Sequence, residues 1–483
     1  MLTITNFING KHVRPANRKY LETFEPATGK VLAKVPDSTA EDVNQAVKAA
    51  ADRFDLWSKH ISVERRAACL YALADLIDQN AEHLAEAESR DTGKPLSLAK
   101  RVDIPRAAAN FRFFAGAVLH HHGETHSGQA GFNYTLRQPR GVAALISPWN
   151  LPLYLLSWKI APAIATGNTC VCKPSEVTPL TAYLLGDLIN QAGIPPGVVN
   201  IVHGTGQRAG AALVQHLDVP TISFTGSTAV GRWIGEHAGK TLKRASLELG
   251  GKNPFIIFDD ADLPQAIATA AAAAFTNQGQ ICLCGSRLLV HRPVYQQVLD
   301  GLVAAAKALK VGDPADESTQ FGALTSKPHL EKVHALVKAA SKLGAKLHCG
   351  GGPVPAKSLP KPNKSGYFFQ PTVLSGLDPF CKVEQEEIFG PVVSLQPFDT
   401  AHEAIALANC TPYGLAATIF TTNLRRAHDT AAAIDAGIIW INTWLARDLR
   451  TPFGGMKQSG LGREGGVDAL KFFTEPKNVC IGN

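Results

Sequence analysis

The chain has 483 residues, 45% hydrophobic and 18% charged, with a formal net charge of +7. That length exceeds one compact core and predicts two or three domains, and the composition excludes a disordered or fibrous protein. The positive charge is spread without a basic block of five or more residues, so there is no nucleic-acid footprint, while acidic small substrates stay open.

Nine cysteines, at positions 69, 170, 172, 282, 284, 349, 381, 410 and 480, have neither the even count nor the spacing of a disulfide framework or zinc site. Most are expected to be small buried hydrophobes. The opening "MLTITNFINGKHVRP" lacks a basic segment followed by an apolar core, so no signal peptide is expected and a reducing cytoplasm fits best.

In chain order, the N-terminal third reads as helices over Asp42 to Trp57, Ser62 to Asn80 and Arg101 to Leu119, where apolar residues recur at three-to-four spacing. The run "GVAALISPWNLPLYLLSWKIAPAIATG" from Gly141 is long enough to span a membrane. Pro148, Asn150, Pro152, Lys159 and Pro162 interrupt it, so a buried strand followed by a buried helix is expected. Short apolar strands then alternate with helical stretches: "GVAALIS", "NTCVCK", "VVNIVH", "TISFTG" and "ASLELGG". That order predicts βαβ units and a parallel sheet.

A second series follows Gly251, with "NPFIIF", "SRLLVH", "AKLHCGG", "YFFQPTVL", "GPVVSLQPF", "AATIFTT" and "GIIWINT" as strands. Two α/β domains result, with "LELGGKNP" between them as a hinge and a crevice. The alanine run "ATAAAAAF" reads as a tightly packed helix, and "PAKSLPKPNKSG" as an exposed loop. The "HHHG" run from His120 fits metal-ligand spacing poorly and is expected on the surface, with no metal bound.

Two glycine-rich turns, "VVNIVHGTGQRAG" and "TISFTGSTAVG", follow strands and lead into helices. Glycine lets the backbone approach a pyrophosphate, and the helix N-terminus supplies free N–H groups, which suits a dinucleotide. Neither matches G-x-G-x-x-G, and each alone is more often an ordinary turn. In "CKPSEVTP", Lys173 and Glu176 leave the end of a strand where doubly wound sheets bind ligands. A carboxylate there accepts both ribose hydroxyls and repels a 2′-phosphate, favouring NAD over NADP. Helix capping by Ser175 and Glu176 is the plainer alternative.

"FTNQGQICLCGSRLLV", from Phe275, places two cysteines one residue apart beyond a polar turn. A nucleophilic cysteine needs access, a base or a lowered pKa, and an oxyanion stabiliser. Spacing alone does not separate Cys282 from Cys284.

That stretch resembles the active-site signature F-x-x-x-G-[QE]-x-C of the NAD(P)-dependent aldehyde dehydrogenases, with Cys282 on the nucleophile. "PWNLP", "KPSE", "FTGST", "LELGGKNP", "EEIFGPV" and "PFGGMKQSGLGRE" agree, in the family's order and over nearly the whole length. The resemblance implies an α/β aldehyde dehydrogenase fold. It comprises a Rossmann-like NAD-binding domain (1–122 and 139–250), an α/β catalytic domain (251–458) and a small β oligomerisation arm (123–138 and 459–483).

The resemblance also implies roles. Cys282 would attack the aldehyde to give a thiohemiacetal, its oxyanion held by the Asn150 amide and the Cys282 N–H, and hydride would pass to NAD. Glu248 would activate water to hydrolyse the thioester, which sets the chain apart from CoA-acylating relatives. Lys173 and Glu176 would hold the adenosine ribose, Ser227 a phosphate and Glu387 the nicotinamide ribose. Phe389, Trp149, Gly206, Phe224 and Gly226 would line the cofactor path. "GQAGFNYTLRQP" and "LKFFTEPKNVCI" resemble the arm of a homodimer or homotetramer; they alternate apolar and polar residues without obvious partners in the chain.

Arg106 in "VDIPRAAANFRFF" and Arg447 in "NTWLARDLRTPFGG" stand where the family often has apolar tunnel residues. Each alone reads as a surface residue, and Arg447 could pair with Asp448. Together they resemble the 2-aminomuconate and 2-hydroxymuconate semialdehyde dehydrogenase branch, which implies a small aldehyde substrate bearing a carboxylate. The alternatives are another specificity, such as betaine aldehyde, retinal or broad aliphatic aldehydes, or a catalytically silent relative.

Overall fold

The computed structural model describes residues 1–129 and 131–482; Ala130 and Asn483, both within the expected arm segments, lie outside the described residues. The chain begins with strands, Leu2–Thr3, Asn6–Ile8, Lys11–Val13, Tyr20–Glu25 and Lys30–Pro36, which corrects the expectation of a helical N-terminal third. Leu2–Thr3, Asn6–Ile8 and Lys11–Val13 escape a periodicity reading because they are short, and what holds Asn6–Ile8 is remote. It pairs antiparallel with Val199–Ile201.

The expected helices follow with shifted ends. Ala40–Asp55 continues into a π turn at Leu56–His60, and Val63–Gln79 starts at Ser62, whose side chain accepts from the Arg65 N–H. Ala81–Thr92 is a further helix, hidden in the sequence because its inward face carries Glu88 and Asp91 among alanines and Leu84. The third expected helix begins earlier, at Leu96, and passes through a π turn at Ala99–Asp103 before Ile104–Leu119.

The first large sheet has five parallel strands, in the spatial order Arg244–Glu248, Thr221–Thr225, Val142–Ile146, Thr169–Lys173, Val199–Ile201. Gly460–Leu461 extends it antiparallel beside Arg244–Glu248. The chain enters at Val142–Ile146, winds outward one way and returns to wind the other. That reversal opens a crevice at the strands' C-terminal ends. The apolar run from Gly141 is, as expected, a buried strand and the buried helix Pro152–Ala165. No helix among the described residues is long and apolar enough to cross a membrane.

The second sheet has seven strands, ordered Lys346–Cys349, Thr372–Ser375, Val392–Phe398, Gly285–His291, Asn253–Ile257, Ala416–Phe420, Ile438–Ile441, all parallel except the first. The alanine-rich Leu263–Phe275 is a helix whose Ala266, Ala270, Ala273 and Ala274 are buried. The expected arm segments do find partners in this chain: Thr474–Ile481 runs antiparallel to Gly131–Pro139, which also pairs with Thr125–Gly128. Alternation shows that such strands need neighbours but not which, so a contact between residues 132 and 481 is invisible in sequence.

Candidate active site

Two strands bordering the crevice end in a candidate residue, Thr169–Lys173 in Lys173 and Arg244–Glu248 in Glu248. Lys173 closes Thr169–Lys173, and its Nζ lies 2.7 Å from the Glu176 carboxylate. Burial opposes ionisation of Glu176, yet Lys173 and the Gly206 N–H together hold its carboxyl below the ordinary value. Gly206 is exposed and opens the helical turn Gly206–Gly210. Ser227 caps Thr228–Lys240, its Oγ accepting from the Val230 N–H at 3.4 Å and its own O–H left to donate. Phe224 is buried beneath this turn, its ring against Gly226, so it supports the turn and does not line its surface.

Glu387 reaches the hinge: its Oε1 accepts from the Gly251 N–H at 2.9 Å. A Cβ at Gly250 would sit 2.3 Å from Glu387 Oε2, so the paired glycines of "LELGG" are what let this carboxylate in. Burial pushes its pKa up to about 7 against the pull of that N–H, Lys332 and Lys252. Trp149 packs edge-on to Phe389 at 5.2 Å and against His329 at 4.9 Å.

The loop before the cysteines is tightly turned. Asn277, Gln278 and Gly279 have φ of 52°, 56° and 70°, and a Cβ at Gly279 would meet the Gly390 carbonyl at 2.2 Å. The "G-Q-x-C" glycine therefore serves a close approach to "FGPV". Asn253 Nδ2 then clamps the cysteine backbone, donating to the carbonyls of Cys282 at 2.7 Å and Cys284 at 2.9 Å. Here the two thiols part. Cys282 is half-buried and lines a cavity of about 410 Å³, whereas Cys284 is buried and does not line it. Burial raises both thiols, Cys284 to about 12, and Glu387 and Glu248 raise Cys282 further.

Asn150 is buried, and its Nδ2 donates to the Gln280 carbonyl at 2.8 Å, two residues before Cys282. One amide hydrogen is thus engaged with the cysteine loop and the other is free. Glu248 also lines the cavity; both its carboxylate oxygens are buried without a hydrogen-bond partner. Burial, then the charge of Glu464, raises its pKa well above the ordinary value. A carboxyl whose pKa is raised by burial, on the same cavity as a thiol, is placed to act in proton transfer.

Sequence reasoning missed the polar groups behind these residues. Lys159 Nζ, buried, binds Ser223 Oγ at 2.9 Å and Glu464 Oε1 at 3.0 Å, so Glu464 beside Glu248 keeps a counter-charge. Lys94 Nζ, fully buried, binds the Asn150 carbonyl and Asp103 Oδ1, each at 3.1 Å. The signal was present for Lys159, a lone cation in the apolar run "LLSWKIAPAIA"; nothing marked Lys94.

Arg106 and Arg447 both line the Cys282 cavity. Arg106 stands 5.5 Å over Tyr154 and 6.0 Å from Trp158; Arg447 lies 4.0 Å over Phe453 and 5.6 Å from Trp158. Asp448 pairs with Arg450 at 2.6 Å, so the simpler pairing with Arg447 does not form. Nε and Nη2 of Arg106 are buried without a partner. Burial, with the like charge of Arg447, draws Arg106 below its ordinary pKa. Aromatic faces position both guanidiniums while leaving their N–H groups for something else.

Residues 12–479 match the Aldehyde dehydrogenase family. A 2-aminomuconic semialdehyde dehydrogenase of Danio rerio is 53% identical over 99% of this chain and 98% of its own length. A 2-hydroxymuconic semialdehyde dehydrogenase of Pseudomonas sp. (strain CF600) is 47% identical, with both chains fully covered. The NAD+ complex structure of an aldehyde dehydrogenase from Bacillus cereus superposes with a TM-score of 0.96 at 42% identity, covering 99% of this chain and 96% of that one. Likeness of this extent, in sequence and in backbone alike, makes the chain a member of the aldehyde dehydrogenase family.

Proposed function

We propose that the protein is an NAD-dependent dehydrogenase of a semialdehyde that bears a carboxylate, of the 2-aminomuconate or 2-hydroxymuconate semialdehyde type, and that it releases the acid by hydrolysis. The observation that carries the reading is the pair Arg106 and Arg447: two cations without an ion pair among the described residues, on the cavity that Cys282 lines. The names of the Danio rerio and Pseudomonas relatives support it.

Cys282 is the nucleophile. Its thiol gives its proton to the ionised Glu248 on the same cavity, and its sulfur bonds to the aldehyde carbon as the carbonyl π pair moves to oxygen. The oxyanion of the resulting thiohemiacetal is met by the free Asn150 amide hydrogen and the Cys282 N–H, and loss of that carbon's hydrogen as hydride leaves the thioester. Arg106 and Arg447 hold the far carboxylate and so aim the aldehyde at the sulfur. Glu248, once ionised, takes a proton from the water that cleaves the thioester.

The crevice fits NAD. The Lys173–Glu176 pair matches a ribose diol, the open space at Gly206 and the Ser227 hydroxyl suit a pyrophosphate, and Glu387 with Phe389 and Trp149 suits the second ribose. NAD, when bound, supplies the hydride acceptor. The Glu176 carboxylate repels a 2′-phosphate.

Residues 1–122 and 139–250 form the cofactor domain and 251–458 the catalytic domain, while 123–138 and, from the expected segment 459–483, the strand Thr474–Ile481 contribute the arm of a homodimer or homotetramer; Gly460–Leu461 of that segment joins the cofactor sheet instead. The arm sheet exposes Phe132, Leu136 and Ile481, which a second copy would cover. All nine cysteines are free thiols, which suits the cytoplasm.

The test is NADH formation by the wild-type enzyme on carboxylate-bearing semialdehydes against neutral aldehydes of matching length. A preference for retinal, betaine aldehyde or the neutral homologue would refute the substrate, and no turnover of any aldehyde would leave a silent relative. Kinetics on the 2-amino and 2-hydroxy semialdehydes side by side decides between the two.

A further inference from the structure

The geometry points to Lys94 as a positioning residue that couples the oxyanion donor Asn150 to the carboxylate-binding Arg106; this rests on the roles proposed above for those two residues. Lys94 follows the left-handed Gly93 that ends the helix Ala81–Thr92, and its side chain is entirely buried. Its ammonium reaches three groups: the Asn150 carbonyl at 3.1 Å, Asp103 Oδ1 at 3.1 Å and Glu88 Oε1 at 3.7 Å. Two of its donors make hydrogen bonds, and their fixed angles set the Asn150 carbonyl and Asp103 relative to one another, while Glu88 lies beyond hydrogen-bond distance and adds only its charge.

Each group leads to a different part of the site. The Asn150 carbonyl also accepts from Asn277 Nδ2 at 3.2 Å, which pins the backbone whose side chain reaches the Gln280 carbonyl beside Cys282. Asp103 closes the π turn Ala99–Asp103, and Arg106 lies one helical turn further along the same helix. A π turn adds a residue to the helical repeat and re-aims the side chains after it, so what fixes Asp103 also fixes the direction of Arg106. Glu88 anchors the assembly through the Thr181 hydroxyl at 2.9 Å.

A buried charge network is a weak means of stabilising a fold, since well-packed apolar residues of similar volume commonly serve as well or better. Directed donors do what apolar packing does not: they hold the oxyanion donor and the guanidinium at a set separation. That separation is the length of aldehyde the cavity accepts, with the carbonyl at one end and the carboxylate at the other. Lys94 touches neither end of the substrate.

The test is a double-mutant cycle on the full-length enzyme with Lys94→Met and Arg106→Ala, using one carboxylate-bearing semialdehyde and one neutral aldehyde of matching length. Thermal unfolding and NAD binding report whether each variant is folded. Lys94→Met should lower the single-turnover rate on the neutral aldehyde by about 10-fold or more, because the Asn150 donor shifts. The penalty of Arg106→Ala on the carboxylate substrate should shrink by about 5-fold or more in the Lys94→Met background, since a misaimed guanidinium has less to lose. Lys94→Gln, which keeps a donor, should recover part of both effects, and it replaces Lys94→Met in the cycle if that variant does not fold.

A folded variant with wild-type rate on the neutral aldehyde, or an Arg106→Ala penalty equal in both backgrounds, overturns the coupling and leaves Lys94 a packing residue. If Arg106→Ala costs nothing in the otherwise wild-type enzyme, the carboxylate reading itself fails and the coupling fails with it. The neutral-aldehyde rate then still reports on the Asn150 contact alone.

Discussion

Truncating Arg106, Arg447 or both to alanine separates substrate recognition from stability. Neither guanidinium has an ion pair among the described residues; what each loses internally is a contact with aromatic faces, at 5.5 and 6.0 Å for Arg106 and at 4.0 and 5.6 Å for Arg447. Such contacts contribute roughly 0.5–1 kcal/mol each. Relief of Arg106 desolvation offsets part of that, so the melting temperature should move by no more than a few degrees.

On the carboxylate substrate the loss is larger. Removing one partner of a buried charge pair costs about 2–5 kcal/mol, which converts to a fall in kcat/KM of about 30-fold or more. Arg106, with buried and unpartnered Nε and Nη2, should sit higher in that range than Arg447. A neutral aldehyde should change by less than about threefold. The assay is NADH formation at subsaturating substrate for the three variants, alongside thermal melts. Equal losses on charged and neutral aldehydes would refute the carboxylate clamp, and a fall of ten degrees or more in the melting temperature would show that the arginines serve the fold.

Cys282→Ala should abolish dehydrogenase activity while Cys284→Ala leaves most of it; the reverse result would mean the nucleophile has been placed two positions too early. Glu176→Gln should raise NADP use relative to NAD, and an unchanged ratio in steady-state kinetics would remove Glu176 from the ribose site. Burial raises the Glu387 pKa to about 7, so the folded protein keeps a proton that the unfolded chain releases near its ordinary value of 4.5. Stability should therefore fall as pH rises from about 4.5 to 7, by on the order of 1–3 kcal/mol, and level off above. Glu387→Gln should flatten that slope in melts across pH, and an undiminished slope would exclude Glu387 as its source.

Much of the site was legible because its parts are contiguous. "LELGGKNP" carries Glu248 and the glycines that admit Glu387, "CKPSE" carries Lys173 and Glu176 three residues apart, and the βαβ rhythm put both at strand ends. Local sequence dictates strand and helix period, turn chemistry and the residues a turn exposes. Even Arg106 and Arg447 could be suspected, each within its own motif.

Only the tertiary structure decided which thiol lines the cavity, since Cys282 and Cys284 share one loop and differ in what distant segments pack against them. It alone brought Lys159 to Glu464 across 305 residues, Lys94 to Asn150 across 56, and the C-terminal strand to Gly131–Pro139. It also showed the N-terminal strands, of which Asn6–Ile8 finds a ladder partner in Val199–Ile201, far along the chain. The physical reason is common to all of these. A buried charge or an edge strand is stable only with a partner, and the sequence states that need locally while the partner is set by how whole sheets and helices close on one another.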